Sequence, residues 1–293
     1  MRVGKIIKAL SGFYYVYSDG QVFQCKGRGV FRKRKVTPLV GDEVTFEADN
    51  LEEGYIHSIG DRKNELVRPP IANVDQALIV TSAVQPAFNK LLLDRFLVLV
   101  EANHINPVLI FSKMDQLEPE KEAGIEASRQ MYQKAGYQVI LSSMEEQEAL
   151  KEIKALLDDN ITVIAGQSGV GKSSLLNALN PSLSIETNAI SESLGRGKHT
   201  TRHVELFTIG TGLVADTPGF SSLEFQDIEL EALPECFPEF REVQHLCKFR
   251  GCLHNKEPKC AVKENVKQGE IDQQRYDHYL LFLEEIQNRK PRY

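Results

Sequence analysis

Apolar and polar positions alternate along the first sixty residues in short runs, KIIKAL, GFYYVYS, QVFQCKG, DEVTFEAD and GYIHSIG, separated by Gly, Asp or Asn. A period of two between such turn residues predicts half-buried strands. Five short strands of this kind predict a small barrel, whose closure removes the exposed edges. From Gln76 the texture changes. Near-continuous apolar runs, QALIVTSAV, PVLIFSKMD, YQVILSS, ITVIAGQSG and GLVADTPGF, alternate with helix-like stretches such as LLLDRFLVLVEAN and a charged segment ending at Gly136. Unbroken apolar runs are strands buried on both faces, so an α/β domain with a largely parallel sheet is expected. Beyond Ser222 the pattern is mostly helical and charged, and Tyr276, Tyr279, Leu283 and Ile286 recur at helical spacing as a core-facing stripe. The expected domains are 1–66, 67–222 and 223–293, with no internal repeat.

Composition narrows the class. With 293 residues, 42% hydrophobic and 26% charged, the chain reads as a soluble multidomain protein. No apolar run approaches the roughly 20 residues of a membrane-spanning helix. The segment MRVGKIIKALSG lacks the long apolar core and cleavage site of a secretory leader, so a cytoplasmic protein without membrane attachment is expected. The net charge of −6 is uneven: residues 1–40 hold nine Lys/Arg and the single acid Asp19, leaving the remainder at −14. A basic barrel suits a polyanion, and five-stranded barrels of the OB-fold type often bind nucleic acid on one face. The cluster RGVFRKRK, Arg28 to Lys35, sets Phe31 among cations, a composition suited to stacking on RNA bases. The alternative for this cluster is a solvated loop.

The run ITVIAGQSGVGKSSLLNAL places G-x-x-x-x-G-K-S between an apolar strand and a helix, the context of a phosphate-binding loop. Gly166, Gly169 and Gly171 let the backbone approach phosphate oxygens, and the intervening Gln167, Ser168 and Val170 complete the cradle of N–H groups. Lys172 is expected to reach the β- and γ-phosphates, Ser173 to lend its hydroxyl to Mg²⁺, and Ser174 to extend the nucleotide contact. The tetrapeptide DTPG, Asp216 to Gly219, follows the strand GLVA. It offers a second Mg²⁺-associated carboxylate in Asp216 and, at Gly219, an N–H that senses the γ-phosphate. Between these motifs GRGKHTT, Gly195 to Thr201, has the composition of a switch loop. Thr200 or Thr201 supplies the remaining Mg²⁺ hydroxyl; Thr201 is preferred. The base is read by SKMD, Ser112 to Asp115, where the Asp115 carboxylate accepts from guanine N1–H and the exocyclic amine, a donor pair that adenine lacks. The stem of Lys113 packs along the base, and Ser112 departs from the usual Asn, which puts one supporting hydrogen bond in question but not the Asp115 contact. Ser142–Ser143, after YQVIL, offers a backbone N–H toward guanine O6.

The order of these elements is permuted. The base-reading turn and Ser142–Ser143 precede the phosphate loop, whereas ordinary GTPases begin with that loop. Sheets tolerate such rejoining when their termini lie close. One consequence is that DTPG runs directly into the C-terminal region, so nucleotide state is expected to reach that region through residues 220–245. After DTPG stands Phe220 where many such enzymes carry a water-orienting Gln, so intrinsic turnover is expected to be slow. His199 in the switch loop or a partner could replace it; His199 as a plain surface residue is the alternative. In the C-terminal region CKFRGCLHNKEPKC gives three thiols and an imidazole, Cys247, Cys252, His254 and Cys260, for one tetrahedral structural Zn²⁺. Lys248, Arg250, Lys256 and Lys259 make this loop basic, in keeping with an RNA contact.

Taken together, the permuted order, the basic barrel, GRGKHTT, DTPGF and the Cys/His cluster resemble the small-ribosomal-subunit-dependent GTPase A family, RsgA (also called YjeQ), over the whole chain. The resemblance implies an N-terminal OB-fold, a permuted GTPase centre binding GTP or GDP with Mg²⁺, and a mainly helical zinc domain. It also implies action in late maturation of the small ribosomal subunit and its rRNA, with hydrolysis stimulated by that subunit. A monomer is expected. The second reading is an RNA-binding assembly chaperone in which nucleotide only gates binding.

Overall fold

The computed structural model describes residues 1–29, 31, 36–67, 69–143, 146–183, 204–216 and 223–289. Strands β1 (Arg2–Leu10), β2 (Phe13–Ser18), β3 (Gln21–Gly27), β4 (Glu43–Ala48) and β5 (Gly54–Ile59) close into a barrel in the order β1-β2-β3-β5-β4. Alternation puts Ile6, Val16, Phe23, Cys25, Val44, Phe46 and Ile56 inside, all buried. Closure needs one parallel pair, β3 with β5, in which Cys25 faces Gly54. A Cβ on Gly54 would stand 2.5 Å from the Cys25 sulfur, so only glycine fits there. Phe31, read from sequence as a base-stacking ring, is instead buried beside Gly27. Hiding an aromatic ring stabilises by about 2 kcal/mol, and the neighbouring cations do not alter that preference. Val30 and Arg32 to Lys35 lie outside the described residues.

After the hairpin β6 (Glu65–Val67) and β7 (Pro70–Ala72) comes the α/β rhythm. Its elements are β8 (Gln76–Ser82), α1 (Lys90–Glu101), β9 (Asn106–Ser112), α2 (Pro119–Lys134) and β10 (Gln138–Leu141). Then follow α3 (Gln147–Leu157), β11 (Ile161–Ala165), α4 (Lys172–Leu179), β12 (Leu206–Ile209) and β13 (Gly212–Asp216). The six-stranded sheet has the order β10-β9-β8-β11-β13-β12, with β10 parallel to β9, β11 parallel to β13, and β12 antiparallel to β13. Every residue of β11 is buried, which explains why it is apolar apart from Thr162. Helix α1 begins where Asn89 accepts from the Leu92 N–H, a side-chain cap.

The chain forms two compact units. The first, Met1–Leu78 with Glu146–Ser168 and Lys172–Ser221, contains the barrel, α3, β11, α4, β12 and β13. There Lys8 pairs with Glu205 at 2.9 Å, and Arg62 forks onto the fully buried Asp42 at 2.7 and 2.8 Å. The second, Ile79–Glu145 with Gly169–Gly171 and Ser222–Tyr293, holds α1, β9, α2 and β10. It also holds α5 (Pro238–Arg241), α6 (Ala261–Lys267) and α7 (Gln273–Gln287). Its C-terminal core joins Val98 of α1 to Phe225, Phe237, Phe240, Tyr279 and Phe282. Within this unit the Arg275 guanidinium donates to Asp94 at 2.6 Å and to both Glu239 oxygens at 2.8 and 3.0 Å. Tyr132 and His278 also reach Asp94, at 2.9 and 2.5 Å. Burial opposes the Arg275 charge, but the two carboxylates hold its pKa well above the ordinary value. No helix among the described residues is long and apolar enough to cross a membrane.

Candidate functional site

The phosphate loop leaves β11, whose register pairs Ile164 with Asp216 at the end of β13. Two neighbouring strands therefore end together, which brings Asp216 beside the start of the loop. Gly166, Gly169 and Gly171 have φ of 137°, 82° and 99°, values that a side chain would strain. Lys172 is buried and its ammonium donates to the carbonyls of Gly166 and Gln167 at 2.9 and 2.8 Å. The Ser173 hydroxyl is buried with no hydrogen-bond partner among the described residues. An orphaned hydroxyl costs free energy unless something fills its coordination, and a hard cation is such a group. Gln167 and Ser168 are exposed, Val170 is buried, and Ser174 is half-buried at the start of α4.

The base-reading turn is fastened to this loop. At the end of β9 the Ser112 hydroxyl lies 2.6 Å from the Val170 carbonyl and 3.1 Å from that of Thr81. Ser112 thus reaches the phosphate loop directly through its hydroxyl. Lys113 adopts φ 61°, an unfavourable conformation for a long side chain. Its ammonium donates to Gly169 at 2.7 Å and to Gln85 at 2.5 Å. Asp115, in the short turn Met114–Gln116, is exposed. Ser142 is buried and its N–H already donates to the Phe111 carbonyl at 2.8 Å. That rules it out as the donor to a base and leaves the half-buried Ser143 of the pair. His199, Thr200, Thr201 and Gly219 lie outside the described residues, and of Asp216 only the backbone is described.

The four metal-ligand candidates do converge: one ligand atom from each of Cys247, Cys252, His254 and Cys260 lies within 4.8 Å of the others. His254 Nδ1 is 3.6 Å from the Cys247 sulfur and 3.3 Å from that of Cys260, and those two sulfurs are 3.9 Å apart. Thiolates about 2.3 Å from a tetrahedral zinc stand about 3.8 Å from each other, so the cluster fits that ion. Burial pushes the Cys252 thiol up to about 12 and lowers the His254 pKa, which keeps the imidazole neutral and able to ligate. Around the cluster, Tyr276 and Tyr279 donate to the carbonyls of His254 and Leu253 at 2.7 and 2.6 Å. The Glu257 carboxylate accepts the N–H groups of Leu253 and Asn255 at 3.0 and 2.9 Å. The tyrosine stripe, read as packing alone, therefore also braces the ligand loop.

Two arginines escaped the sequence reading. Arg95 on α1 lies 4.6 Å from the Phe225 ring and 5.0 Å from Phe282, donates to the Leu223 carbonyl at 2.9 Å, and pairs with Glu285. Arg289 donates to the carbonyls of Phe225, Gln226 and Ile228 at 2.7, 2.5 and 3.3 Å. Together they hold residues 223–228, which follow DTPG in the chain. In the sequence Arg95 sits within a helix-like run and Arg289 just beyond one, positions that ordinary surface arginines share.

Comparison with known proteins adds the family context. A family model described as RsgA GTPase matches residues 59–226, and one described as RsgA N-terminal domain matches residues 3–56. The small ribosomal subunit biogenesis GTPase RsgA 2 of Oceanobacillus iheyensis is 63% identical, covering all of both chains. The small ribosomal subunit biogenesis GTPase RsgA of Bacillus subtilis is 60% identical, again over all of both. Among solved structures, that of YloQ, a circularly permuted GTPase, has a TM-score of 0.87 at 56% identity, covering 100% of this chain and 97% of that one. The structure of YjeQ from Thermotoga maritima has a TM-score of 0.86 at 36% identity, covering 99% of each.

Proposed function

Because the chain belongs to the RsgA GTPase family, and is thus a GTP hydrolase, we propose that it acts in late maturation of the small ribosomal subunit, which stimulates its hydrolysis. The observation that carries the site assignment is the joint between Lys113 and Gly169, 2.7 Å long, which fastens a guanine-type turn to a phosphate loop. In this reading Asp115 selects guanine with help from Ser143, and Gly166 to Ser174 cradle the phosphates. Lys172 turns from its loop carbonyls to the β- and γ-phosphates. Ser173, Asp216 and Thr201 would hold Mg²⁺, which neutralises charge on the phosphates. Water attacks the γ-phosphorus, the bond to the β–γ bridging oxygen breaks, and GDP leaves with inorganic phosphate. His199 or a group on the subunit orients that water, since Phe220 cannot.

Cys247, Cys252, His254 and Cys260 would hold one Zn²⁺ as a closed structural site, and the cations around it, with the basic barrel, meet rRNA. The protein works as a cytoplasmic monomer of three functional parts, 1–66, 67–222 and 223–293. Nucleotide state passes to the metal-bearing region through residues 220–245, a reading supported by the hold of Arg95 and Arg289 on 223–228. The test is GTP hydrolysis by the purified protein, with ATP as control, with and without small ribosomal subunits. Slow GTP-selective turnover is expected to rise many-fold with subunits, and Lys172→Ala to lower it about a hundredfold or more. Turnover indifferent to subunits would remove the proposed partner.

A further inference from the structure

Within the second unit, the end of α1, the starts of β9 and β10 and residues 232–241 border a cavity of 730 Å³. Ligand sites have volumes of about 300–1,000 Å³. None of the residues assigned to nucleotide or metal lines it. Strand β9 runs from this cavity, at Asn106 and Pro107, to the base-reading turn at Ser112, and at about 3.3 Å per residue the two lie about 20 Å apart.

The charged lining is two carboxylates, Glu101 and Glu235, against one guanidinium, Arg241; with His104 neutral, one negative charge is left over. A single Arg241 nitrogen, Nη1, donates both to Glu101 Oε2 at 2.8 Å and to the Glu235 carbonyl at 2.7 Å. The other oxygen, Glu101 Oε1, has no partner among the described residues, although this side chain is only 10% exposed. Burial pushes the Glu101 carboxyl up despite that guanidinium. Burial, with the Glu101 charge nearby, also pushes the Cys236 thiol up to about 12. The cavity is therefore short of positive charge. Its apolar lining, Ala102, Ile105, Pro107 and Pro238, suits an aliphatic stem and not a hydrated metal ion. A cationic head on a methylene stem is the side chain of lysine or arginine. The volume exceeds that of one such side chain, which leaves room for main chain beside it. Residues 41–293 carry a net charge of −14, so a basic segment is drawn to this part of the protein.

We propose that this cavity is a docking site for a basic segment of a protein partner, one lysine or arginine of which inserts its charged head between Glu101 and Glu235. The site is separate from nucleotide binding and does not depend on the guanine reading.

The experiment titrates the full chain with pentapeptides that carry a single lysine, arginine or norleucine among glycines, and with n-butylamine, while NMR follows the backbone amides of Ala102, Gly136 and Gln138. The lysine and arginine peptides are expected to move these amides. The norleucine peptide, which keeps a stem and lacks the charge, is expected to bind about tenfold more weakly or worse. Butylamine is expected to fall below the lysine peptide, because it leaves the room for main chain empty. Glu101→Gln should weaken the lysine peptide about tenfold, and Glu235→Gln, at an exposed position, about threefold, with GDP affinity unchanged in both. Should Glu101→Gln fail to fold, Glu235→Gln carries the test alone. No movement with the lysine peptide, equal binding of the norleucine and lysine peptides, or unchanged binding in both variants would overturn the proposal. Butylamine that binds as tightly as the lysine peptide would assign the cavity to free amines and remove the protein partner.

Discussion

The phosphate loop and the Cys/His loop solve one problem in two ways. Each is an irregular turn whose shape the backbone alone does not fix, and each is held by side chains that donate to its carbonyls. At the phosphate loop the donors are Ser112 and Lys113, on Val170 and Gly169. At the Cys/His loop they are Tyr276 and Tyr279, on His254 and Leu253. The difference lies in what is left over. The phosphate loop keeps exposed positions at Gln167 and Ser168 and a Ser173 hydroxyl with no partner among the described residues. The Cys/His loop turns four donors toward one point, three of them buried and Cys247 half-buried. A loop that exchanges its ligand must stay open and bear unsatisfied groups, whereas one that keeps its ligand can bury most of its donors. The tyrosines stand on α7, anchored by the buried Arg275 cluster; the serine and lysine stand on a turn near the surface.

Removing metal should separate the two loops most strongly. Chelation is expected to unfold the Cys/His loop, seen as new protease cleavage between Cys247 and Cys260, while GDP affinity holds. Acid should do the same with a defined sign. Burial pushes the thiols of Cys252, to about 12, and Cys260 upward, so binding zinc near neutral pH displaces at least these two protons. Apparent zinc affinity should therefore fall by about a hundredfold or more per unit as pH drops from 8 to 6, read by competition with a zinc-sensitive dye. A pH-independent affinity would mean that the thiols are not the ligands.

A smaller effect is expected behind the tyrosines. Arg275→Ala leaves Asp94 and Glu239 buried without their cation, at a cost of about 3–5 kcal/mol, visible as a lower urea midpoint. Arg275→Ala with an unchanged midpoint would show that the cluster does not anchor α7. The smallest effect belongs to Tyr279→Phe, which strands the Leu253 carbonyl for about 1 kcal/mol and should weaken zinc binding by about fivefold. GDP binding should be untouched in that variant; parallel losses at both loops would erase the contrast drawn between them.

Much of this was legible because its signals are local. QVFQCKG is a strand from its first residue to its last, and the five alternating runs are the five strands of the barrel. The glycine spacing of the phosphate loop and the Cys/His spacing each lie within fourteen residues, so chain geometry keeps those groups close. The misreadings turn on contacts that only the folded chain makes. Phe31 among cations looks like a base-stacking ring until Gly27 and the barrel wall cover it. Ser142 looks like a donor until the Phe111 carbonyl, thirty-one residues earlier, takes its N–H. Asp94, Glu239 and Arg275 carry no joint pattern, since an ion pair has no periodicity and no required spacing.

The sequence by itself determined the strands, the permuted order of the nucleotide motifs and the close spacing of the Cys/His set, because periodicity and short-range spacing are properties of a chain before it folds. Tertiary structure alone decided which carbonyls Ser112, Lys113, Tyr276 and Tyr279 hold, and which charges share the interior of the second unit. Hydrogen bonds and buried ion pairs depend on distances of about 3 Å between segments far apart in sequence, and only packing brings such atoms together.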